Sequence, residues 1–281
     1  MIKRKFIPGS EWLYYKIYTG VKTADIILDE AIKPLTEYLV ENSIISQWFF
    51  IRYSDPRPHL RIRFLLNDIQ HYNEILEKVN VVLQGYMSSG EISGLVLDTY
   101  KRELERYGER TIEQAEKLFC INSKFTLQCL PYDDEEKIIV CLFYIDQLLN
   151  KTNIPIQEKL RWIRESNDGF KQEFNADKKL NSQLDKKYRD FKPKYLDFTS
   201  SEEFSEERGS IIAYINESNE VFQNVAQSLR ENSSEISMQY FFQSIFHMNI
   251  NRIFISNQRL FEMLIYDFLL RHYKTLVYHA R

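Results

Sequence analysis

The stretch from residue 48 to residue 64 constrains the fold more than any other part of the chain. It reads Trp-Phe-Phe-Ile-Arg-Tyr-Ser-Asp-Pro-Arg-Pro-His-Leu-Arg-Ile-Arg-Phe. Aromatic and β-branched residues at 49–53 and alternating residues from position 59 predict two strands, and the two prolines between them predict a tight connection. In the second strand one face is apolar, and the other face carries His59, Arg61 and Arg63.

Two guanidinium groups so close on one sheet face need negative charge beside them. Side chains two residues apart on a strand lie roughly 6–7 Å apart, and like charges at that distance repel unless an anion or a carboxylate separates them. Arg61 and Arg63 therefore predict the floor of a carboxylate- or phosphate-binding site. The alternative is a solvated sheet face whose Asp or Glu partners come from elsewhere, and composition alone favours that alternative.

The first 110 residues follow the order strand, helix, strand, strand, helix, strand. The strands are predicted at 12–18, 49–53, 59–66 and 94–102, and the helices at 23–41 and 68–86. Pro34 is a site for a kink in the first helix. This order predicts a ferredoxin-like, four-stranded antiparallel sheet with helices on one face.

The rest of the chain is predicted to be mostly helical. Helical spacing covers 111–130, 133–150, 156–165, 211–232, 237–254 and 257–278. Residues 166–197 are strongly charged and predict a long exposed helix or a helix and loop, and 200–208 predict a mobile acidic linker. The fold class is α+β, in a single domain of residues 1–281 with a sheet-containing part, 1–110, and a helical part, 111–281.

Composition and motif searches exclude several classes of function. The net charge of −3 argues against general nucleic-acid or membrane-surface binding, so any basic site is local. No stretch resembles a signal peptide or is apolar for about 18 residues, so we expect a cytoplasmic protein without a membrane span. There is no Gly-rich phosphate loop and no metal-type His spacing, and we expect neither cofactor nor metal. The cysteines are expected to be buried thiols, at positions 120, 129 and 141.

Polar residues at 98–108 form a second candidate group. Arg102 and Arg106 lie at the predicted end of the fourth strand, and Arg–Glu pairing along that end is the simplest structural explanation for them.

A third group lies among apolar residues at 246–254. Helical spacing puts His247 and Asn251 on one face, and Arg252 follows. These side chains are either satisfied polar groups of the core or part of a site.

The chain resembles the C-terminal domain of class I lanthipeptide dehydratases, which is also found free-standing in thiopeptide and other peptide-natural-product pathways. The resemblance covers most of the length and rests on four blocks in the same order. These blocks begin at Trp12 (Trp-Leu-Tyr-Tyr-Lys-Ile-Tyr), Phe49 (through Pro-His-Leu-Arg-Ile-Arg-Phe), Tyr100 (Tyr-Lys-Arg-Glu-Leu-Glu-Arg-Tyr-Gly) and His247 (His-Met-Asn-Ile-Asn-Arg).

The resemblance implies an elimination step on a modified precursor peptide. In that family a preceding portion transfers glutamate from glutamyl-tRNA to Ser or Thr, and the C-terminal domain removes it to leave dehydroalanine or dehydrobutyrine. We therefore expect the elimination subunit of a split dehydratase. Its expected partners are a precursor peptide and a separate tRNA-dependent glutamylation protein, without direct nucleic-acid contact and with a homodimer as the default assembly.

The resemblance also implies roles for particular residues. Arg61 and Arg63 would bind the glutamyl carboxylate as charged forks. Arg102, which matches a functional arginine of the family, would complete the grip or stabilise the developing oxyanion. His247 would shuttle a proton because its ordinary pKa of about 6.5 lies near the working pH.

Further residues are lesser candidates. Arg106 is the alternative to Arg102, and Asn251 and Arg252 are expected to contribute to substrate binding. His59 is a weaker substrate-binding candidate with a structural role as the alternative. The family often has Tyr-Gly-Gly where this chain has Tyr-Gly-Glu at 107–109, so the edge of the pocket differs here.

Two other functions remain open. Thiopeptide pyridine synthases share the expected fold and perform a [4+2] cycloaddition, but they would not need three glutamate-binding arginines. A non-catalytic subunit would bind a peptide along an edge strand. Catalysis predicts that Arg61, Arg63, Arg102 and His247 converge on one cleft, whereas scattered positions favour a binding module.

Overall fold

The structure, a computed structural model, describes residues 2–230 and 236–279. Four strands form an antiparallel sheet in the spatial order β3-β4-β2-β5: β2 is Trp12–Thr19, β3 is Ile45–Tyr53, β4 is His59–Leu66 and β5 is Ile92–Leu97. With the intervening helices this is the predicted ferredoxin-like arrangement, and the α+β class is confirmed. A separate pair, β1 (Lys5–Phe6) with β6 (Tyr100–Lys101), adds a two-stranded ribbon.

Helices cover the apolar face of the four-stranded sheet. They are α1 (Thr23–Ile27), α2 (Lys33–Glu41) and α3 (Tyr72–Ser88). The core between them and the sheet includes Leu60, Ile62 and Phe64, which are the apolar half of the alternation in β4. Full burial of such a side chain stabilises the fold by about 1.5–3 kcal/mol, so the alternation fixes which face of β4 is left for polar residues.

The predicted first helix is interrupted just before Pro34. Residues Leu28–Ile32 form a π-helical turn between α1 and α2, and Pro34 lies in the first turn of α2. Proline has no N–H to donate to the preceding turn, which explains why the regular helix breaks there rather than running from 23 to 41.

Contacts divide the chain into two compact units. The first comprises the described residues of Met1–Pro131 and Gln227–Ser256, and the second those of Tyr132–Ala226 and Asn257–Arg281. The first unit holds both sheets together with α4 (Leu104–Tyr107), α5 (Ile112–Gln128) and α11 (Met238–Ile253). The predicted division at residue 110 therefore differs from the compact units, because α5 and α11 belong with the sheet.

The second unit is helical. It contains α6 (Asp134–Lys151), α7 (Ile156–Glu173), α8 (Lys178–Ser200), α9 (Ser205–Glu217) and α12 (Gln258–His279), while α10 (Asn219–Arg230) spans the boundary. Asp267 is buried in α12 and accepts from Arg271 and Lys171 at 2.5 and 3.0 Å. A buried carboxylate paired in this way fixes the packing of α12 on α7.

Three predicted boundaries in the helical part were wrong. The predicted helix 156–165 continues to Glu173 as α7. The stretch 166–197, predicted as a long helix or a helix and loop, comprises the end of α7 and most of α8. The predicted linker at 200–208 is instead a 3₁₀ turn, Glu202–Phe204, followed by the start of α9, because Arg208 donates to the carbonyls of Phe198 and Ser201 at 2.6 and 2.7 Å. The predicted helix 211–232 breaks at Ser218, and its last two residues lie outside the described residues.

Two further expectations concern the whole chain. The three cysteines are buried, as predicted. Within residues 2–230 and 236–279, no helix is long and apolar enough to span a membrane.

Candidate functional site

Strand register assembles a positively charged surface on the sheet face opposite the helices. Across the β2–β4 ladder, Lys16 lies opposite Arg61, while the other two polar side chains of β4 each face a tyrosine. Residues paired in an antiparallel sheet project from the same face. We call this surface the cationic face; it consists of Tyr14, Lys16, Tyr18, Tyr53, His59, Arg61 and Arg63.

Arg63 is a buried charge with no carboxylate at ion-pair distance among the described residues. Its side chain is only 8% exposed, and its Nε has no hydrogen-bond partner there. Its guanidinium lies over the rings of Tyr14, Phe49 and Tyr100, with Cζ 4.5, 5.1 and 4.8 Å from their centroids. Such cation–π contacts offset only part of the hydration free energy that the guanidinium loses on burial.

Burial lowers the pKa of Arg63, and the neighbouring hydroxyls of Tyr100 and Tyr14 counteract part of that effect. Arginine nevertheless remains charged at any physiological pH. A buried, charged and unsatisfied fork is the arrangement that an anionic ligand would complete.

Arg61 is held in position by His59. Arg61 Nε donates to His59 Nε2 at 3.0 Å, so His59 Nδ1 carries the ring proton and donates to the Arg57 carbonyl at 2.8 Å. The guanidinium of Arg61 stacks on Tyr53, with Cζ 3.5 Å from the ring centroid. These contacts occupy Nε and one face of the group, and they leave Nη1 and Nη2 without a partner in the described chain.

His59 is buried between the rings of Tyr18 and Tyr53. Burial lowers its pKa, the hydrogen bond to Arg57 opposes the shift, and the charges of Arg61 and Lys16 add to it. His59 is therefore neutral at pH 7, consistent with its role as an acceptor from Arg61.

One carboxylate does border the cationic face. Asp98, just after β5, pairs with Lys16, and this hydrogen bond is the largest cause of the lowered pKa of Asp98. The Asp98 charge is therefore balanced by Lys16, and Arg61 and Arg63 keep their net positive charge.

Arg102 lies in a saturated ion pair. Its Nε and Nη2 donate to the two carboxylate oxygens of buried Glu116 at 2.8 and 2.6 Å, and Nη1 donates to the Lys3 carbonyl at 3.2 Å. The Tyr100 hydroxyl donates to the same carboxylate at 2.7 Å. The fork of Arg102 is occupied by protein groups, so the structure does not bring it together with Arg61 and Arg63 as an open cation.

Arg106 is half-buried on α4 and less constrained. It pairs with Glu103 at 3.4 Å and lies close enough to the Tyr240 hydroxyl of α11 for electrostatic interaction. Glu103 also acts on Arg63. Glu103 was not among the predicted site residues, and its position three residues before Arg106 on one helical turn was the available signal.

The other two polar residues of α11 hold the edge of β3. Asn251 accepts from the Arg52 N–H and donates to the Arg52 carbonyl, both at 3.0 Å. Arg252 is 1% exposed and donates from Nε to the Phe50 carbonyl at 2.7 Å and from Nη1 to Asn122 at 3.1 Å. Both residues complete the hydrogen bonding of an edge strand.

His247 lies partly exposed in the middle of α11. Helical geometry puts it on the same stripe as Tyr240, Ser244 and Asn251. One end of that stripe reaches Arg106 and the other reaches Arg52 of β3. His247 therefore lies between the Arg106 turn and the β3 edge.

The residues that the sequence singled out thus fall into three settings. Arg61, Arg63 and His59 share the cationic face, and Arg102, Asn251 and Arg252 make structural contacts. Arg106 pairs with Glu103, whose charge also acts on Arg63, and His247 lies on α11. No group of three His, Cys, Asp or Glu side chains that could hold a metal occurs among the residues described. The roles proposed for individual residues stay predictions.

The topology and the cationic face together define an α+β domain with a ferredoxin-like sheet. Its arginines Arg61 and Arg63 have no carboxylate partner among the described residues. Residues 12–273 match the lantibiotic biosynthesis dehydratase C-terminal family, and the chain belongs to that family. The resemblance inferred from the four sequence blocks is therefore confirmed.

Two curated relatives are large biosynthesis proteins. NisB, the nisin biosynthesis protein of Lactococcus lactis subsp. lactis, is 34% identical over 124 residues, which are 43% of this chain and 12% of NisB. SpaB, the subtilin biosynthesis protein of Bacillus subtilis, is 25% identical over 193 residues, which are 66% of this chain and 18% of SpaB. The chain thus matches less than a fifth of the length of either relative.

Solved structures share the fold at low sequence identity. One is the tRNA-dependent lantibiotic dehydratase MibB from Microbispora sp. 107891, with a TM-score of 0.72 and 18% identity. The match covers 97% of this chain and 29% of MibB. TsrL matches at a TM-score of 0.64 and 11% identity, and the pyridine synthase TbtD from thiomuracin biosynthesis at 0.61 and 12%. The matches cover 96% and 95% of this chain, and 95% of TsrL and 100% of TbtD.

Proposed function

We propose that this chain eliminates glutamate from glutamylated Ser or Thr residues of a ribosomal precursor peptide. The products would be dehydroalanine or dehydrobutyrine and free glutamate. Membership of the dehydratase C-terminal family supports a role in peptide dehydration, and the description of MibB as tRNA-dependent supports a glutamyl intermediate. A tRNA-dependent glutamylation activity would supply the substrate.

The observation that carries the proposal is the unpaired charge of Arg63. A guanidinium 8% exposed, with its Nε unsatisfied and no carboxylate at ion-pair distance among the described residues, suits a ligand that brings its own negative charge. The glutamyl group offers a side-chain carboxylate. Arg61, whose two terminal nitrogens are also open, would bind the same carboxylate or the departing one.

The reaction needs a base and stabilisation of negative charge from the protein. A base takes the proton from Cα, the electron pair forms the Cα–Cβ double bond, and the Cβ–Oγ bond breaks so that glutamate leaves as a carboxylate. Negative charge develops on the peptide carbonyl oxygen and on the leaving oxygen, and preorganised cations lower the free energy of that transition state. Arg61 and Arg63 would provide this stabilisation on the cationic face.

Arg106 is a better candidate than Arg102 for the third cation. The five donors of Arg102 are largely committed to Glu116 and to the Lys3 carbonyl. Arg106 has a longer contact to Glu103, at 3.4 Å, and interacts with the Tyr107 hydroxyl, and the Glu103 charge also acts on Arg63. Arg102 would then act indirectly, by fixing Glu116 and Tyr100 behind Arg63.

His247 would move the proton. It lies on the α11 stripe between Arg106 and the β3 edge, and an imidazole is suited to proton transfer near neutral pH. His59 is less suited, because both of its ring nitrogens are already engaged.

Cycloaddition is the second candidate, because the pyridine synthase TbtD shares the fold of this chain. A cyclase joins two dehydroalanines and has no glutamate to bind, so the uncompensated arginines argue for elimination.

Mass spectrometry of a Ser-glutamylated peptide incubated with the purified chain tests the proposal. Elimination predicts loss of the glutamyl mass together with the Ser oxygen, and stalled glutamyl adducts with Arg61→Ala and His247→Ala. A wild-type protein that leaves this peptide intact but cyclises a bis-dehydroalanine peptide would establish the cyclase instead. Binding without conversion of either peptide would indicate a recognition subunit.

A further inference from the structure

The two outer strands of the four-stranded sheet differ in how their free edges are covered. On β3, the outward backbone groups of Phe50 and Arg52 are bound by side chains. Ser123 accepts from the Phe50 N–H at 3.2 Å, Arg252 donates to the Phe50 carbonyl, and Asn251 binds both backbone groups of Arg52. Side chains therefore occupy the outward backbone groups of Phe50 and Arg52, to which an additional strand would have to bind.

The backbone of β5 is open on its outer side. Asp98 N–H donates to the Tyr14 carbonyl at 3.1 Å, so Val96, two residues earlier, also directs its N–H and C=O toward β2. The alternate residues Leu95 and Leu97 therefore direct theirs away from the sheet. Within the described chain no hydrogen bond reaches those outward groups.

The sequence of β5 lacks the usual protection of an edge strand. Ile92–Leu97 reads Ile-Ser-Gly-Leu-Val-Leu, with no charged residue and no proline, and Val96 and Leu97 are 43% and 37% exposed. Edge strands commonly carry Lys, Pro or a covering segment that prevents pairing with another chain. An apolar, unprotected edge is suited to receiving a strand.

An added strand would lie beside the cationic face. Residues opposite Gly94 and Val96 would project on the same side of the sheet as Lys16, which is paired with Val96 across the ladder. Gly94 has no side chain to obstruct that side, and the exposed Arg57 lies there over Tyr18, with Cζ 4.5 Å from the ring centroid.

The distances suit a long anionic side chain. At about 4.8 Å between neighbouring strands, an added strand would lie about 10 Å from β2 and about 14 Å from β4. A glutamyl ester on Ser or Thr is long and flexible and carries a side-chain carboxylate. The cations of the cationic face also have long side chains. The carboxylate of the ester could therefore meet them across this distance.

We propose that an extended segment of the precursor peptide binds by strand addition to the outer edge of β5, with its glutamylated residue opposite Gly94 or Val96. This inference rests on the proposed elimination function for the identity of the peptide. The backbone of the peptide supplies the attachment, and the cationic face receives the glutamyl group.

A binding experiment with matched variants tests whether the outer edge of β5 binds the peptide. The probe is a fluorescent ten-residue peptide in which one diaminopropionate carries glutamate through an amide, so that it binds without being eliminated. Leu97→Pro removes the outward N–H of an exposed residue, and Leu97→Ala removes the side chain but keeps that N–H. We expect Leu97→Pro to weaken binding about tenfold, the effect of one lost hydrogen bond, and Leu97→Ala to bind within about twofold of wild type.

A second pair of variants covers the possibility that Leu97→Pro does not fold. Val96→Glu places a negative charge where the glutamyl group would pass and should weaken binding, whereas Val96→Thr keeps the shape and should not. Circular dichroism confirms folding of each variant. Equal binding by both members of both pairs would overturn the inference.

Turnover separates this inference from the proposed function. Leu97→Pro should eliminate glutamate from N-acetyl-O-glutamyl-serine methylamide as fast as wild type, because that substrate has no flanking residues to pair with β5. If wild type binds the probe at the edge of β5 but eliminates glutamate from no substrate, the proposed elimination function is wrong, whereas peptide binding at β5 is supported. If sedimentation shows a dimer that Leu97→Pro dissociates, a second copy occupies β5 and the peptide inference is wrong.

Discussion

Arg63 and Arg102 are both more than nine-tenths buried, yet their surroundings are opposite. They share Tyr100, whose ring lies under the Arg63 guanidinium and whose hydroxyl binds Glu116, the partner of Arg102. Arg102 has a bidentate carboxylate, and Arg63 has only aromatic rings. The protein thus meets the cost of burying one arginine with its own carboxylate and leaves the other without one, which favours a structural role for Arg102 and a ligand-binding role for Arg63.

Removing Arg102 should have the largest effect on stability. Arg102→Met leaves Glu116 as an uncompensated buried charge and should lower the free energy of unfolding by about 3–5 kcal/mol. Chemical denaturation measures this loss, and the double variant Arg102→Met with Glu116→Met should recover most of it. Full stability of the single variant, with elimination abolished, would contradict the structural role.

Removing Arg63 should have the converse effect. Arg63→Met should slow elimination on the order of 100- to 1,000-fold, as expected for loss of a preorganised charge at the transition state. Its stability should stay equal or rise, since an apolar side chain removes a buried charge that has no carboxylate partner. Single-turnover mass spectrometry and thermal unfolding measure the two quantities, and a large loss of stability would assign Arg63 to the fold instead.

Arg106 should fall between these extremes. Arg106→Gln should slow elimination about tenfold or more through loss of the proposed third cation, while its partly exposed pair with Glu103 contributes less than about 1 kcal/mol to stability. The matched control is Glu103→Gln, which removes the partner and keeps the cation. An unchanged rate in Arg106→Gln would remove Arg106 from the set of site arginines.

The smallest expected effect concerns the His59 support of Arg61. Because the pKa of His59 is lowered in the folded state, the unfolded chain binds the extra proton as pH falls below about 6.5, and stability declines from there toward the folded-state pKa. Protonation also removes the acceptor for Arg61 Nε. Charges facing His59 include Lys16, Arg57 and Arg61, which do not titrate in this range.

A pH profile of unfolding and elimination tests that support. His59→Gln keeps an acceptor oxygen without a titrating group, so the variant should lose the acidic decline while retaining most activity at pH 7. A decline that persists in this variant would assign it to another group.

The sequence predicted the face of each β4 residue because a strand has a period of two, so burial of Ile62 and Phe64 on one face places Arg61 and Arg63 on the other. It could not predict that Arg102 is paired, because Glu116 lies 14 residues away on α5 and the contact depends on tertiary packing. The same holds for Asn251 and Arg252, whose partners on β3 are about 200 residues away. Polar residues at 200–208 were misread as a linker, since the same residue types also cap and connect helices.

The most direct test of carboxylate binding by Arg63 changes the substrate as well as the protein. Single-turnover elimination is measured for wild type and Arg63→Met on two peptides, one carrying a glutamyl ester and one a glutaminyl ester, whose side chain is uncharged. Arg102→Lys is a control that keeps a charge at the structural site. If Arg63 binds the glutamyl carboxylate, wild type prefers the glutamyl peptide and Arg63→Met loses that preference, which gives a coupling energy between residue and substrate. An equal preference in wild type and Arg63→Met would show that Arg63 does not bind the glutamyl carboxylate, and its proposed ligand-binding role would be wrong.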